Sequence, residues 1–176
     1  MKILTLLPVL LLAVVWDFYK GKIPNLLIGA GILAGSVSLI YQRGPGEIMA
    51  HIPGVLFPVI MLFPLYKIGT IGAGDIKLFS LLGFYFTFPA TVFCVFCSFW
   101  VGAVISLVVL VWRDNLRERM VYLWNYLKEY FVTGRIQYYY LNTEEKQIQK
   151  SKIHFALPIF ISVLFYICTI EKTTMF

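Results

Sequence analysis

The chain has 176 residues, 60% of them hydrophobic and only 14% charged, with a formal net charge of +6. A soluble domain of this size needs far more polar surface to cover its core, so an ordinary water-soluble enzyme is excluded. The basic excess calls for no nucleic acid, because in a membrane chain it is mostly a topology signal.

Residues 3–16, 23–42, 48–66, 78–112 and 153–170 contain no Lys, Arg, Asp or Glu. Runs of this kind read as helical spans of a hydrocarbon core about 30 Å thick. The alternating short segments of a β-barrel are missing. The predicted fold class is therefore all-α, a polytopic membrane protein in contact with the lipid bilayer. The first run ends in Trp16-Asp17-Phe18-Tyr19, an aromatic interfacial boundary and not a small-x-small cleavage site, which predicts a retained span over about 3–19. The runs 23–42 and 48–66 are one span each. The run 78–112, read as one helix, would reach roughly 52 Å at about 1.5 Å per residue, too long for one crossing. Thr87-Phe88-Pro89 predicts a break, giving helices over 76–87 and 89–112. In 113–152, Leu116, Met120, Leu123, Trp124, Leu127 and Phe131 recur at helical spacing opposite Arg117, Glu118, Asn125, Lys128 and Glu129. This predicts an amphipathic helix on the membrane surface, a resting linker ahead of a substrate-docking lid. A final span follows over 153–170, so residues 1–176 form one domain with about six transmembrane helices.

With six spans, one side holds Lys20, Lys22, Lys67, Lys77, Arg113, Arg117, Arg119, Lys128, Arg135, Lys146, Lys150 and Lys152, and the other only Lys2, Arg43 and Lys172. The positive-inside rule puts the first side in the cytoplasm and both termini outside.

Of nine acidic residues, Glu47, Asp114, Glu118, Glu129, Glu144, Glu145 and Glu171 fall in loops or at the end. Asp17 closes the first span and Asp75 opens the fourth, both at the cytoplasmic face. A carboxylate near the membrane boundary is costly unless solvated or paired, and is a functional candidate. Asp75 at a helix start could serve as a cap. Asp17 sits at a helix C-terminus, where negative charge is unfavourable, so a structural role explains it less well. Two converging carboxyls suit peptide hydrolysis: like charges close together share one proton, the ionised one takes a proton from water, and the protonated one donates. No metal or cofactor is needed. The sequence holds no His-Glu-x-x-His, Gly-x-Ser-x-Gly or phosphate-binding glycine loop. His51 and His154 each stand alone, with packing or an interfacial hydrogen bond as the expected role. Cys94, Cys97 and Cys168 read as packing thiols. Asp75 follows Gly72-Ala73-Gly74, whose glycines free the backbone for unusual dihedrals and close substrate approach. Asp17 precedes Lys22-Ile23-Pro24-Asn25, with Pro24 in the first turn of the second span.

These two stretches resemble the type IV prepilin peptidases among the GxGD membrane aspartyl proteases. Gly72-x-Gly74-Asp75-Ile76-Lys77-Leu78, with Gly83 downstream, is similar to the family's second motif, and Asp17-x4-Lys22-Ile23-Pro24-Asn25 to its first. The resemblance covers roughly residues 1–112, and the start of the last span matches only loosely. It implies catalytic Asp17 and Asp75, supported by Gly72, Gly74, Lys77, Lys22, Pro24 and Asn25. It also implies a multi-pass protein of the cytoplasmic membrane whose substrates are prepilins or pseudopilins, cut after a short basic leader at the cytoplasmic face. The bifunctional members carry a cytoplasmic Cys-x-x-Cys region and an N-methylation activity. The expectation here is the short peptidase-only form, without methyl transfer. An archaeal-type preflagellin peptidase has the same chemistry. The competing class is a small ion-coupled transporter using the two acids as proton carriers. Transport sites usually lie at mid-membrane, which disfavours it.

Overall fold

Buried residues recur at helical spacing along the first three helices, and this explains how the chain packs. The computed structural model describes residues 2–112 and 154–174. Among them are six helices and no strand: α1 (Lys2–Lys20), α2 (Asn25–Arg43), α3 (Glu47–Lys67), α4 (Ala73–Tyr85), α5 (Phe88–Trp112) and α6 (Ala156–Thr174). Residues 1–102 and 154–176 group into one unit and 103–153 into a second, of which the described part is the end of α5. The predicted surface helix within 113–152 lies outside the described residues.

In α1 the buried positions are Leu6, Leu10, Ala13 and Asp17. In α2 they are Ile28, Gly31, Gly35 and Leu39, and in α3 His51, Gly54, Pro58 and Leu62. Steps of three and four put each set on one face of its helix. The faces converge on α4, which differs from its neighbours. Ile76, Leu78, Phe79, Ser80, Leu81, Leu82, Gly83 and Tyr85 are all buried, so α4 is enclosed on every side. A helix apolar all round belongs in a core. Its largest interface is with α3, and it also packs on α1, α2 and α6.

Close helix approach depends on small residues. A Cβ at Gly31 would strike Leu81, and one at Gly35 would lie 2.8 Å from the Tyr85 ring. The Tyr85 hydroxyl donates to the Gly31 carbonyl at 2.9 Å, which ties the buried phenol to α2. Where α3 crosses α4, Gly54 meets Gly83 backbone to backbone. In lipid, where apolar surface gains little from leaving its solvent, such contacts drive helix association.

Outward-facing positions are the reverse of a soluble surface. Leu4, Leu26, Leu33, Met49, Ile60 and Trp100 are highly exposed. Three helical stretches, Asn25–Arg43, Glu47–Lys67 and Phe88–Val109, are long and apolar enough to cross a membrane, and α6 contributes a shorter apolar stretch. The expected fourth crossing is only 13 residues long, about 20 Å, which falls short of the hydrocarbon thickness. Basic side chains lie over aromatic rings at helix ends, Lys20 over Trp16 at 5.4 Å and Lys67 over Phe63 at 5.3 Å.

The break expected near Pro89 is present. Phe86 takes an extended conformation, φ −117 and ψ 158, and α5 starts at Phe88. Breaking a helix leaves carbonyls without their usual donors. His51 answers this from α3: its Nδ1 lies 2.9 Å from the Gly83 carbonyl oxygen and 3.0 Å from that of Phe86. Both partners are acceptors, so Nδ1 carries the proton. His51→Leu removes the donor and leaves two buried carbonyls unpaired. The expected loss is about 1–3 kcal/mol, read as a lower midpoint in thermal unfolding of the detergent-solubilised protein.

Candidate active site

The site residues come from two chain turns at one end of the bundle. Short connections between α1 and α2, α2 and α3, and α3 and α4 make these helices alternate in direction. The C-termini of α1 and α3 and the N-termini of α2 and α4 therefore share an end.

The first turn begins where α1 stops. Gly21 has φ +61, a left-handed conformation that terminates the helix, and its N–H donates to the Asp17 carbonyl oxygen at 2.8 Å. Pro24 then caps α2 with φ −64 and ψ 133, and its carbonyl receives the Leu27 N–H at 3.1 Å. Pro24 is thus the cap, one residue ahead of the first turn where it was expected, and Asn25 is the first helical residue. Lys22 is exposed.

The second turn precedes α4. Gly72 has φ −77 and ψ 147, an ordinary extended conformation, and neither Gly72 nor Gly74 has a positive φ. The expectation that these glycines supply unusual dihedrals is corrected. What they supply is space. A Cβ at Gly72 would lie 3.1 Å from the Asp75 carboxylate, and one at Gly74 would touch Ile23 at 3.5 Å. The Gly72 N–H donates to Asp75 Oδ2 at 3.3 Å, so Asp75 also reaches back to cap its own helix.

Two contacts join the turns. Ile23 lies against Gly74, and Lys77 Nζ donates to Asn25 Oδ1 at 2.9 Å. The two stretches that stand out in the sequence are therefore neighbours in space.

Asp17 ends the buried stripe of α1 and is only 8% exposed. Its Oδ2 is shut off from solvent and has no hydrogen bond among the described residues. Burying such an oxygen without a donor is expensive, and native structures rarely tolerate it without a reason. The polar group placed against it is His154, whose Nδ1 lies 3.5 Å away, a contact too long for a hydrogen bond. The reading of His154 as an isolated histidine is corrected. Its ring also packs on Phe18, with centroids 4.7 Å apart. Phe155 anchors this segment by meeting Phe79 at 6.1 Å and Phe99 at 5.3 Å, over the surface that Gly102 leaves free. Phe79 lies one turn after Asp75 on the same face of α4.

Residues 4–107 match the type IV leader peptidase family, more than half of the chain. The chain belongs to the type IV leader peptidase family. No curated protein and no solved structure matches it significantly. Membership makes the chain a leader peptidase-like protease. The apolar exterior and the long apolar helices fit a multi-pass membrane protein. The family match includes both stretches around Asp17 and Asp75 and stops before His154. Among the described residues no group of three or more His, Cys, Asp or Glu side chains could hold a metal ion.

Proposed function

We propose that the chain is a membrane aspartic endopeptidase of the GxGD type that removes the leader from prepilin-like proteins, with Asp17 and Asp75 as its catalytic pair. The observation that carries this reading is Asp17: a buried carboxylate with an unbonded oxygen, at the end of the bundle where Asp75 lies in the first turn of α4. Gly74 with Ile23 and Lys77 with Asn25 join the two turns, Gly72 and Pro24 start α4 and α2, and Lys22 is the exposed cation beside them.

The chemistry balances with two carboxyls and one shared proton. The ionised carboxylate takes a proton from water as the water oxygen adds to the scissile carbonyl carbon. The protonated carboxyl gives its proton to the carbonyl oxygen. When the resulting diol collapses, the first carboxyl passes its proton to the leaving nitrogen. The second recovers one from a diol hydroxyl. Both groups return to their starting states.

The segments form six membrane crossings in this reading, in one domain, with α4 as a short crossing lodged among longer ones. The excess of Lys and Arg on the active-site side assigns that side to the cytoplasm and the protein to the cytoplasmic membrane. The test is direct. Purified chain in detergent or lipid is mixed with prepilin peptides carrying a basic leader and an apolar segment. The expected product has a new N-terminus just ahead of the apolar segment. Intact peptide after incubation with well-folded protein, across a panel of prepilins and preflagellins, would overturn the proposal.

A further inference from the structure

We propose that His154 is the positioning residue for Asp17, holding its carboxyl group through both halves of the catalytic cycle. This rests on the proposed two-aspartate reading, which assigns no role to His154.

Three observations carry it. Asp17 Oδ2 is sealed from solvent with no hydrogen bond among the described residues, and the His154 Nδ1 lies 3.5 Å from it. The imidazole is placed by two contacts: its ring lies on Phe18, one residue beyond Asp17, and the backbone that carries it is anchored by the next residue, Phe155, which meets Phe79 of α4 and Phe99 of α5. A Cβ at Gly102 would lie 3.1 Å from the Phe155 ring, so the approach that sets this segment depends on a glycine. The resting gap also matches a general pattern, since active-site hydrogen bonds are often long without substrate and tighten when it binds.

The residue type suits the task. Asp17 has to be a carboxylate in one step and a carboxylic acid in another. Its partner must then donate in one state and accept in the other. A lysine or arginine can only donate, whereas imidazole nitrogen can do either. The His154 side chain is 29% exposed, so it reaches water while the nearby Asp17 oxygen stays dry. Phe79 lies one turn from Asp75 and supports Phe155, so one aromatic contact links the placement of His154 to the helix that carries the second aspartate.

His154→Phe keeps a ring against Phe18 but removes the polar atom. It is expected to lower kcat about tenfold to a hundredfold with KM unchanged, the effect of a misplaced reacting group. His154→Asn returns an amide close to where Nδ1 stood and should recover part of that loss. A structural role alone would affect folding and KM and would not be rescued by the amide. A second readout needs no substrate. The chain has two histidines, so nitrogen NMR of the labelled imidazoles gives two sets of signals, and His154→Asn identifies one of them. Asp17→Asn is expected to move the His154 signals and leave those of His51. Wild-type kcat in a normally folded His154→Phe, or His154 signals unmoved by Asp17→Asn, overturns the proposal. If Asp17→Asn and Asp75→Asn both still cleave, the two-aspartate reading falls instead, and the imidazole spectra decide the Asp17–His154 pairing by themselves.

Discussion

Asp17→Asn and Asp75→Asn are each expected to reduce leader cleavage by about a thousandfold or more, at the upper end of what a positioned acid or base contributes. An amide has nearly the shape of the carboxyl it replaces but neither takes up nor releases a proton at working pH. The structure makes the comparison clean at Asp75. The carboxylate accepts the Gly72 N–H at the start of α4, and asparagine retains an oxygen that can accept it. Folding should therefore survive while the chemistry does not. At Asp17 the substitution removes a buried charge-bearing group whose Oδ2 has no hydrogen bond among the described residues, so stability is expected to hold or rise. Glu47→Gln serves as the control. Glu47 pairs with Arg43 at 3.6 Å on an exposed surface beside the turn between α2 and α3, at the opposite end of the bundle. Its loss should leave turnover unchanged. Cleavage is scored by mass spectrometry of the product in equal amounts of monodisperse protein. Near-normal turnover in either aspartate variant would remove that residue from the mechanism.

Gly83→Ala is expected to have the largest effect on the fold. The added carbon would lie 2.5 Å from the Gly54 carbonyl carbon and 2.7 Å from its oxygen, besides meeting the Val55 nitrogen. All three are backbone atoms, and no rotamer change relieves them. α3 and α4 would have to separate along their most extensive contact, with His51 drawn away from the Gly83 and Phe86 carbonyls. Overpacking of this kind costs about 3 kcal/mol or more when the surroundings cannot yield. The expected result is low recovery from the membrane and a clearly lowered thermal midpoint. Gly29→Ala provides the contrast: nothing lies within 4 Å of the added carbon, and alanine is the better helix former. Equal midpoints for the two variants would contradict the backbone contact at Gly83.

The sequence announces a good deal of this arrangement. Charge-free runs mark the helices, Pro89 marks the break, and their place at the ends of apolar runs sets Asp17 and Asp75 apart from the acids in loops. Local rules suffice there, because helix ends, prolines and isolated charges act within a turn or two. Pairings across the fold are not local. Nothing near His154 in the chain points to Asp17, and their meeting depends on how Phe155 docks beside Gly102. Which role Gly72 and Gly74 play is not legible in the sequence for a related reason. Glycine can serve either backbone freedom or space, and only the observed φ of −77 at Gly72 and the contact of Gly74 with Ile23 separate the two. The encirclement of α4 was equally hidden, since an apolar helix facing lipid and one facing other helices have the same composition.

The bond from His51 to the break between α4 and α5 bears on how the chain is built into a bilayer. Two carbonyls opened at a break cannot enter hydrocarbon unpaired. Their donor belongs to α3, which leaves the ribosome first. If the six proposed crossings form, α4 and α5 are therefore not expected to partition into lipid one at a time. They are expected to meet α3 at the protein-conducting channel or at the headgroup layer and to enter together with it. Biogenesis in that topology would thus have a preferred order, favoured by a single imidazole at the other end of the bundle from the aspartates.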